Sequence, residues 1–357
     1  MSNSSISGVN PLSGFDSPPL LQRLCIDFIC LNLDKVCYRT KCQAVEDASE
    51  EIHDETDLDL NIALDQLHQK LEAQISSHEP KIQEKLHFVA AEEGQLLFHT
   101  KLSEEFFQRL SDLGQITDLV LTLFDGQKTR VRKMCVENAS KLSLTGLQNI
   151  THHNLLELKV SNLVKATIND LIQCMNSWTL ENLKVLDVSN STFWKAQKGT
   201  VAVGLSKLRN LTSLNVSETE FNKTNLTMIM EDLQMLQHLD ISSTKVRDIS
   251  ALIKGKDRLK SLSIAELSLG NAENSDAAIE TLVQLEELRH LDISDSADNN
   301  DLFETPASNP RLRVSDFLAH SRALPNLTSI DISGTKYQIT FTFQANSGNL
   351  NNCKIRI

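Results

Sequence analysis

The side chains with the most chemical potential here are seven cysteines, ten histidines and a recurring aspartate, and their spacing decides what they can do. Cys25, Cys30, Cys37 and Cys42 form the densest thiol set, but intervals of 5, 7 and 5 residues scatter them around helix faces. Zinc frameworks instead pair ligands across about two to four intervening residues. These thiols read as buried and reduced. Cys135, Cys174 and Cys353 complete an odd set without a CxxC pair, which fits a reducing compartment better than a disulfide framework. His238 and His290 each precede a Leu-Asp pair but have no triad or metal partners at useful spacing. Glycine-rich phosphate loops, HExxH motifs and nucleophile elbows are all missing from the sequence. The expectation is therefore a chain that is not an enzyme, with no catalytic, cofactor-binding or metal-binding residues.

The aspartates recur because the elements that carry them recur. One pattern repeats through the C-terminal two-thirds: apolar, two variable, apolar, one variable, apolar. The copies are Val131-Met134-Val136, Leu155-Leu158-Val160, Leu183-Leu186-Val188, Leu211-Leu214-Val216, Leu236-Leu239-Ile241, Leu259-Leu262-Ile264, Leu288-Leu291-Ile293 and Leu327-Ile330-Ile332. Successive starts lie 24, 28, 28, 25, 23, 29 and 39 residues apart, close to the leucine-rich-repeat period of about 20–29 with one insertion. The last two apolar residues of each copy differ by two, so strand alternation sends both inward. One unit cannot bury that edge alone; stacking does. The fold class is α/β, a leucine-rich-repeat solenoid with a parallel concave sheet, preceded by a small helical domain.

The residue between those two apolar positions faces outward, giving the column Cys135, Lys159, Asp187, Asn215, Asp240, Ser263, Asp292 and Asp331. Asp187, Asn215, Asp240, Asp292 and Asp331 make its acidic centre a candidate interaction face for a basic partner segment. The competing and preferred reading is a solvated sheet face whose carboxylates also meet neighbouring turns. Three residues beyond the last apolar position of five copies stand Ser191, Thr219, Thr244, Ser296 and Thr335, whose hydroxyls can bond the backbone as the chain turns. Between strands, Asn225 to Leu233 has helical spacing, as does Leu312 to Ala323; Asp295 to Pro310 reads as a mobile loop.

Upstream the period becomes helical. Residues 1–17 read as disordered; Ser17 caps a helix from Pro18 with Leu21, Leu24, Cys25, Phe28, Ile29 and Val36 along its apolar stripe. An acidic loop over 44–59 follows, then helices marked by Leu60 to Ile75, by Ile82, Leu86 and Val89, and by Leu102, Phe106, Phe107 and Leu110. Ile116 to Phe124 reads as strand-like. The expected divisions are 1–17, a helical domain over 18–115, the solenoid over 116–336 and an irregular tail over 337–357. A net charge of -12 disfavours nucleic acid and anionic membrane as partners. Without a secretory signal or an apolar run of about 18 residues, the expected location is the cytoplasm, with the nucleus as the alternative.

Certain stretches resemble a known family. Leu21, Cys25 and Ile29 fit the Leu-x-x-x-Cys-x-x-x-aliphatic pattern of an elongin-binding box. His152-His153-Asn154-Leu155, the run from Leu239 to Leu262, His290 to Asp295, and Leu324 to Gly334 are similar to the Zyg-eleven family of substrate receptors. The resemblance covers roughly residues 18–335. It implies a subunit of a cullin-2 RING ubiquitin ligase, holding elongin C (and elongin B with it) through Leu21, Cys25 and Ile29. Leu102, Phe106 and Leu110 would then meet cullin-2, with Ser103 where the family has proline, and the solenoid would present an unknown protein substrate. The family continues into an armadillo-like region that reads N-terminal glycine degrons. This chain's last residue is Ile357, so the reading is a shortened form without a degron pocket. The alternative is a general leucine-rich-repeat scaffold or enzyme regulator with no ligase role.

Overall fold

The computed structural model describes residues 17–33, 100–124, 129, 131–193, 204–269, 272–294, 324–333 and 354–356. The chain divides into two compact units, Met1–Gln95 and Leu96–Ile357. Several expectations fall outside the described residues: the disordered start, Cys37, Cys42, the acidic loop, the helices over 60–89, the loop and helix between 295 and 323, Ser296, Thr335 and Cys353. In the first unit the description rests on helix α1 (Ser17–Leu31). Ile26, Cys30 and Leu33 are its buried side.

The second unit begins with helix α2 (Thr100–Asp112), which buries Ser103, Phe106, Phe107 and Leu110. Phe107 meets Phe124 edge-on with ring centroids 5.2 Å apart, and Phe106 lies 5.7 Å from the same ring. Glu104 Oε1 accepts the backbone N–H groups of Arg132 (2.9 Å) and Lys133 (3.1 Å). The first edge of the sheet is thereby covered rather than left as a template for another chain. The helix expected to close a domain at residue 115 instead belongs to the solenoid, and the division falls after Gln95.

Ile116 to Phe124, expected as strand, contains the short helix α3 (Asp118–Leu121). Thr117 caps it, its hydroxyl accepting the Val120 N–H at 3.3 Å. A Thr-Asp start outweighs β-branched composition here, because the cap satisfies donors that a lone strand would leave open.

Among the described residues, nine parallel strands follow in sequence order: β1 (Lys133–Val136), β2 (Glu157–Val160), β3 (Val185–Asp187), β4 (Ser213–Asn215), β5 (His238–Asp240), β6 (Ser261–Ser263), β7 (His290–Asp292), β8 (Ser329–Asp331) and β9 (Lys354–Arg356). The first eight are the eight sequence copies, paired without slip: Met134, Leu158, Leu186, Leu214, Leu239, Leu262, Leu291 and Ile330 stand opposite one another along the sheet. All eight are buried. Burying one such side chain favours folding by about 1.5–3 kcal/mol, and a shift of one residue would turn the whole row to water. This is a leucine-rich-repeat solenoid. The ninth strand corrects the expectation of an irregular tail, since Ile355 pairs with Ile330 and Arg356 with Asp331.

Connecting helices α4 (Leu144–Thr151), α5 (Ile168–Cys174), α6 (Ser177–Asn182), α7 (Lys223–Asp232) and α8 (Ala272–Leu282) close the repeats. Leu147, Ile150, Leu171, Ile172, Leu226, Ile229 and Met230 bury their inner sides. Asn162, Asn190, Glu218, Ser243 and Glu266 take left-handed backbone angles, φ 49 to 57°. Each donates its N–H to the next repeat's turn, as Asn162 does to Ser189 O at 3.1 Å and Glu218 to Ser242 O at 2.9 Å. Backbone pairing thus continues past the strands, where no ladder would otherwise satisfy it.

Candidate interaction surfaces

The concave column is in register, from Lys159 through Asp187, Asn215, Asp240, Ser263 and Asp292 to Asp331. Its acids have a local task. Asp187 Oδ1 accepts the Ser189 N–H at 3.1 Å, Asn215 Oδ1 that of Ser217 at 2.9 Å, and Asp240, Asp292 and Asp331 those of Ser242, Ser294 and Ser333 at 3.0 Å. An Asx side chain bonding two residues ahead turns the chain out of the strand. The second oxygens often reach across: Asn215 Nδ2 donates to Asp187 Oδ2 (3.2 Å), Ser263 Oγ to Asp292 Oδ2 (3.0 Å), and Arg356 Nη1 lies 3.6 Å from Asp331 Oδ2. The arrangement matches the reading of a sheet face whose carboxylates serve turns.

Electrostatics on this face follow burial. Burial pushes the Asp240 carboxyl up, the Ser242 hydrogen bonds pull it back, and the carboxylates of Asp292 and Asp187 add to the rise. Burial holds the His238 imidazole below its ordinary value, and Lys260 and His290 press in the same direction. The hydroxyl ladder is as expected where described. Ser191 Oγ accepts the Leu163 N–H (3.0 Å) and donates to Ser189 O (3.0 Å); Thr219 and Thr244 donate to Val216 O (2.6 Å) and Ile241 O (2.7 Å). Among the described residues, no group of three or more His, Cys, Asp or Glu is placed to hold a metal ion.

On α1 the structure separates the apolar positions. Cys25 is exposed and Ile29 half-buried, and Leu21 lies one turn before Cys25 on the same helix. Leu24, Phe28 and Leu31 are 55, 63 and 63% exposed. The buried stripe is Ile26, Cys30 and Leu33, a set the apolar spacing did not single out. Cys30 is a buried thiol as expected, whereas Cys25 is not. A helix apolar on more than one side does not announce which side its own chain covers.

On α2 the expected cullin-facing residues part company. Leu102 is half-buried, but Phe106 is 4% and Leu110 0% exposed, with Phe106 against Phe124. Phe106 and Leu110 are therefore corrected from a docking surface to the solenoid's own end cap. Ser103 is also fully buried, so a partner at this helix meets its outer side. Arg356 is the concave residue the sequence did not flag, because its strand has a single apolar residue and lies beyond the eighth repeat.

The family of Zer-1-like leucine-rich repeats matches residues 227–354, a span from within α7 to the first residue of β9. Two solved structures from Listeria monocytogenes are similar. Internalin C2 has 15% identity and a TM-score of 0.38, over 68% of this chain and 83% of its own. Internalin F has 16% identity and a TM-score of 0.36, over 69% and 75%. Leucine-rich repeats are typically non-catalytic interaction modules built around an extended concave surface. The second unit of this chain is a leucine-rich-repeat solenoid, and over residues 227–354 it is similar to the Zer-1-like repeats.

Proposed function

We propose that the chain is a non-catalytic substrate-receptor or adaptor subunit of a cullin-2 RING ubiquitin ligase, holding elongin C, and elongin B through it, by α1. One observation carries the reading: Cys25 is exposed and Ile29 half-buried on a helix whose buried stripe is Ile26, Cys30 and Leu33. Leu21, Cys25 and Ile29 stand on successive turns, the spacing of a helix-in-groove anchor. The likeness of residues 227–354 to Zer-1-like repeats supports the same family direction as the Zyg-eleven resemblance. Cullin-2 would approach α2 from the side of Leu102, the solenoid would offer its concave face to a protein substrate, and the complex would work in the cytoplasm or nucleus. The ubiquitin chemistry would belong to partner subunits.

A second reading keeps the leucine-rich-repeat interaction role without a ligase, as a scaffold or enzyme regulator. It is favoured by the burial of Phe106 and Leu110, which removes two of three expected cullin contacts. Affinity purification of the full chain from cells separates the two. Elongin C and elongin B are expected with wild type and lost from a Leu21→Ala/Cys25→Ala variant of unchanged melting temperature. Their absence from wild type favours the scaffold.

A further inference from the structure

Three adjacent strands carry a basic array on the concave side that the turns do not use. His238, Ser261 and His290 open β5, β6 and β7 and stand opposite one another, so the two imidazoles project from backbones about 10 Å apart across the Ser261 hydroxyl. One residue earlier come Gln237, Lys260 and Arg289, kept in step by the Lys260 N–H to Gln237 O and the Arg289 N–H to Lys260 O, each 2.8 Å. His238, Arg289 and His290 are exposed, the other three half-buried. Lys260 Nζ donates to Gln237 Oε1 at 3.0 Å, a neutral partner. Among the described residues, no carboxylate forms an ion pair with Lys260, Arg289, His238 or His290. On the flanking strands β4 and β8 the equivalent pairs are Thr212-Ser213 and Thr328-Ser329, which carry no charge.

Charge decides what such an array accepts. Two cations without a counter-ion, two imidazoles and a hydroxyl offer donors and call for an anionic acceptor. Asp240 and Asp292 lie two residues on, about 7 Å along the same strands, with their oxygens engaged. Each accepts the N–H of its turn serine, and Asp292 also takes the Ser263 and Ser294 hydroxyls. Together with Asp187 and Asp331 they limit how much negative charge the face tolerates. A nucleic-acid backbone or a phosphate dianion is repelled by that column; a single carboxylate fits beside it. On the reading above, that the concave face meets a protein substrate, we infer that this array receives one Asp or Glu side chain of the substrate's bound segment, held by Lys260, Arg289 and the two histidines.

Protonating either imidazole strengthens that contact, so binding tightens in mild acid. In the free chain, burial holds His238 below its ordinary value, with Lys260 and His290 pressing the same way; an entering carboxylate pulls it back up. The other charged groups facing outward on these strands are Asp240, Asp292 and Arg289. On β4 the outward positions are Ser213 and Asn215, and on β8 Ser329 and Asp331.

The test titrates a blocked peptide, Ser-Gly-Glu-Gly-Ser, into the full chain and follows the amide NMR signals of β5 to β7, with thermal unfolding of each variant alongside. Saturable shifts are expected, at least about threefold tighter at about pH 6 than at about pH 8, a range in which the peptide carboxylate stays ionised. Arg289→Ser and Lys260→Ser should each weaken binding at least about threefold. Lys159→Ser removes the same charge from β2, three strands from β5, and should bind as wild type. His238→Asn/His290→Asn should bind equally at both pH values; a pH effect that persists there belongs to Asp240 and Asp292 and overturns the role of the histidines. Wild-type affinity in both Arg289→Ser and Lys260→Ser would overturn the array. Tighter binding of a Lys or phosphoserine counterpart of the peptide would do so as well, while leaving the concave face a substrate surface. Binding of none of the three peptides would overturn both, and elongin capture by α1 is read separately.

Discussion

Asp240 and Asn215 occupy equivalent positions on adjacent strands, and both accept the N–H of the serine two residues on. The amide therefore suffices for the turn, and the charge on Asp240 is a burden that burial imposes. Because the folded carboxyl holds its proton more tightly than the unfolded one, wild type loses stability as pH rises from the ordinary aspartate range through that raised value. Asp240→Asn should raise the unfolding midpoint at pH 7 and lose that advantage below the ordinary aspartate range. Melting curves across pH check this; an equal effect at both ends contradicts it. At Gly146 the constraint is steric. An added Cβ would collide with Asp118 Oδ1, the carboxylate that accepts the N–H (3.0 Å) and hydroxyl (2.5 Å) of Ser143, the cap of α4. Gly146→Ala should cost about 1–3 kcal/mol in urea unfolding, and a neutral result would mean the cap can shift freely.

Elements show what hydrophobic spacing can and cannot say. The eight strands were legible because inward pairs at a separation of two, repeated at a near-constant period, fit nothing but stacked parallel strands. β9 was not, since Lys354-Ile355-Arg356 carries one apolar residue and takes its register from β8. In α2 the spacing of Phe106 and Leu110 announced burial correctly but not whose core would receive them. In α1 the same ambiguity ran the other way: of the apolar stripe read from the sequence, Leu24, Cys25 and Phe28 are exposed and Ile29 half-buried, and Ile26, Cys30 and Leu33 are covered. Burial has different consequences for the two helices. Phe107→Ala removes a ring that is 1% exposed and packed on Phe124, and should cost about 3–5 kcal/mol. Hydrogen exchange of the Arg132 and Lys133 amides, held by Glu104 on the same helix, should quicken with it. Slow exchange at those amides in the variant would show that β1 does not depend on α2.

At the scale of the whole molecule, the two units present different surfaces. The solenoid supplies a long, regular, mostly self-satisfied face: its acids turn the chain and its hydroxyls stitch repeats, so a protein substrate there would be read by shape and by the remaining polar valence. The first unit supplies α1, whose exposed apolar residues are the largest departure from solvent-facing chemistry among the described residues. On the proposed reading elongin C occupies α1 and leaves the strands of the solenoid to a substrate. Hydrogen–deuterium exchange of the full chain, with and without purified elongin B–elongin C, tests this most directly. The account predicts protection over residues 21–31 and unchanged exchange across β3 to β7; protection along those strands with none in α1 would contradict it.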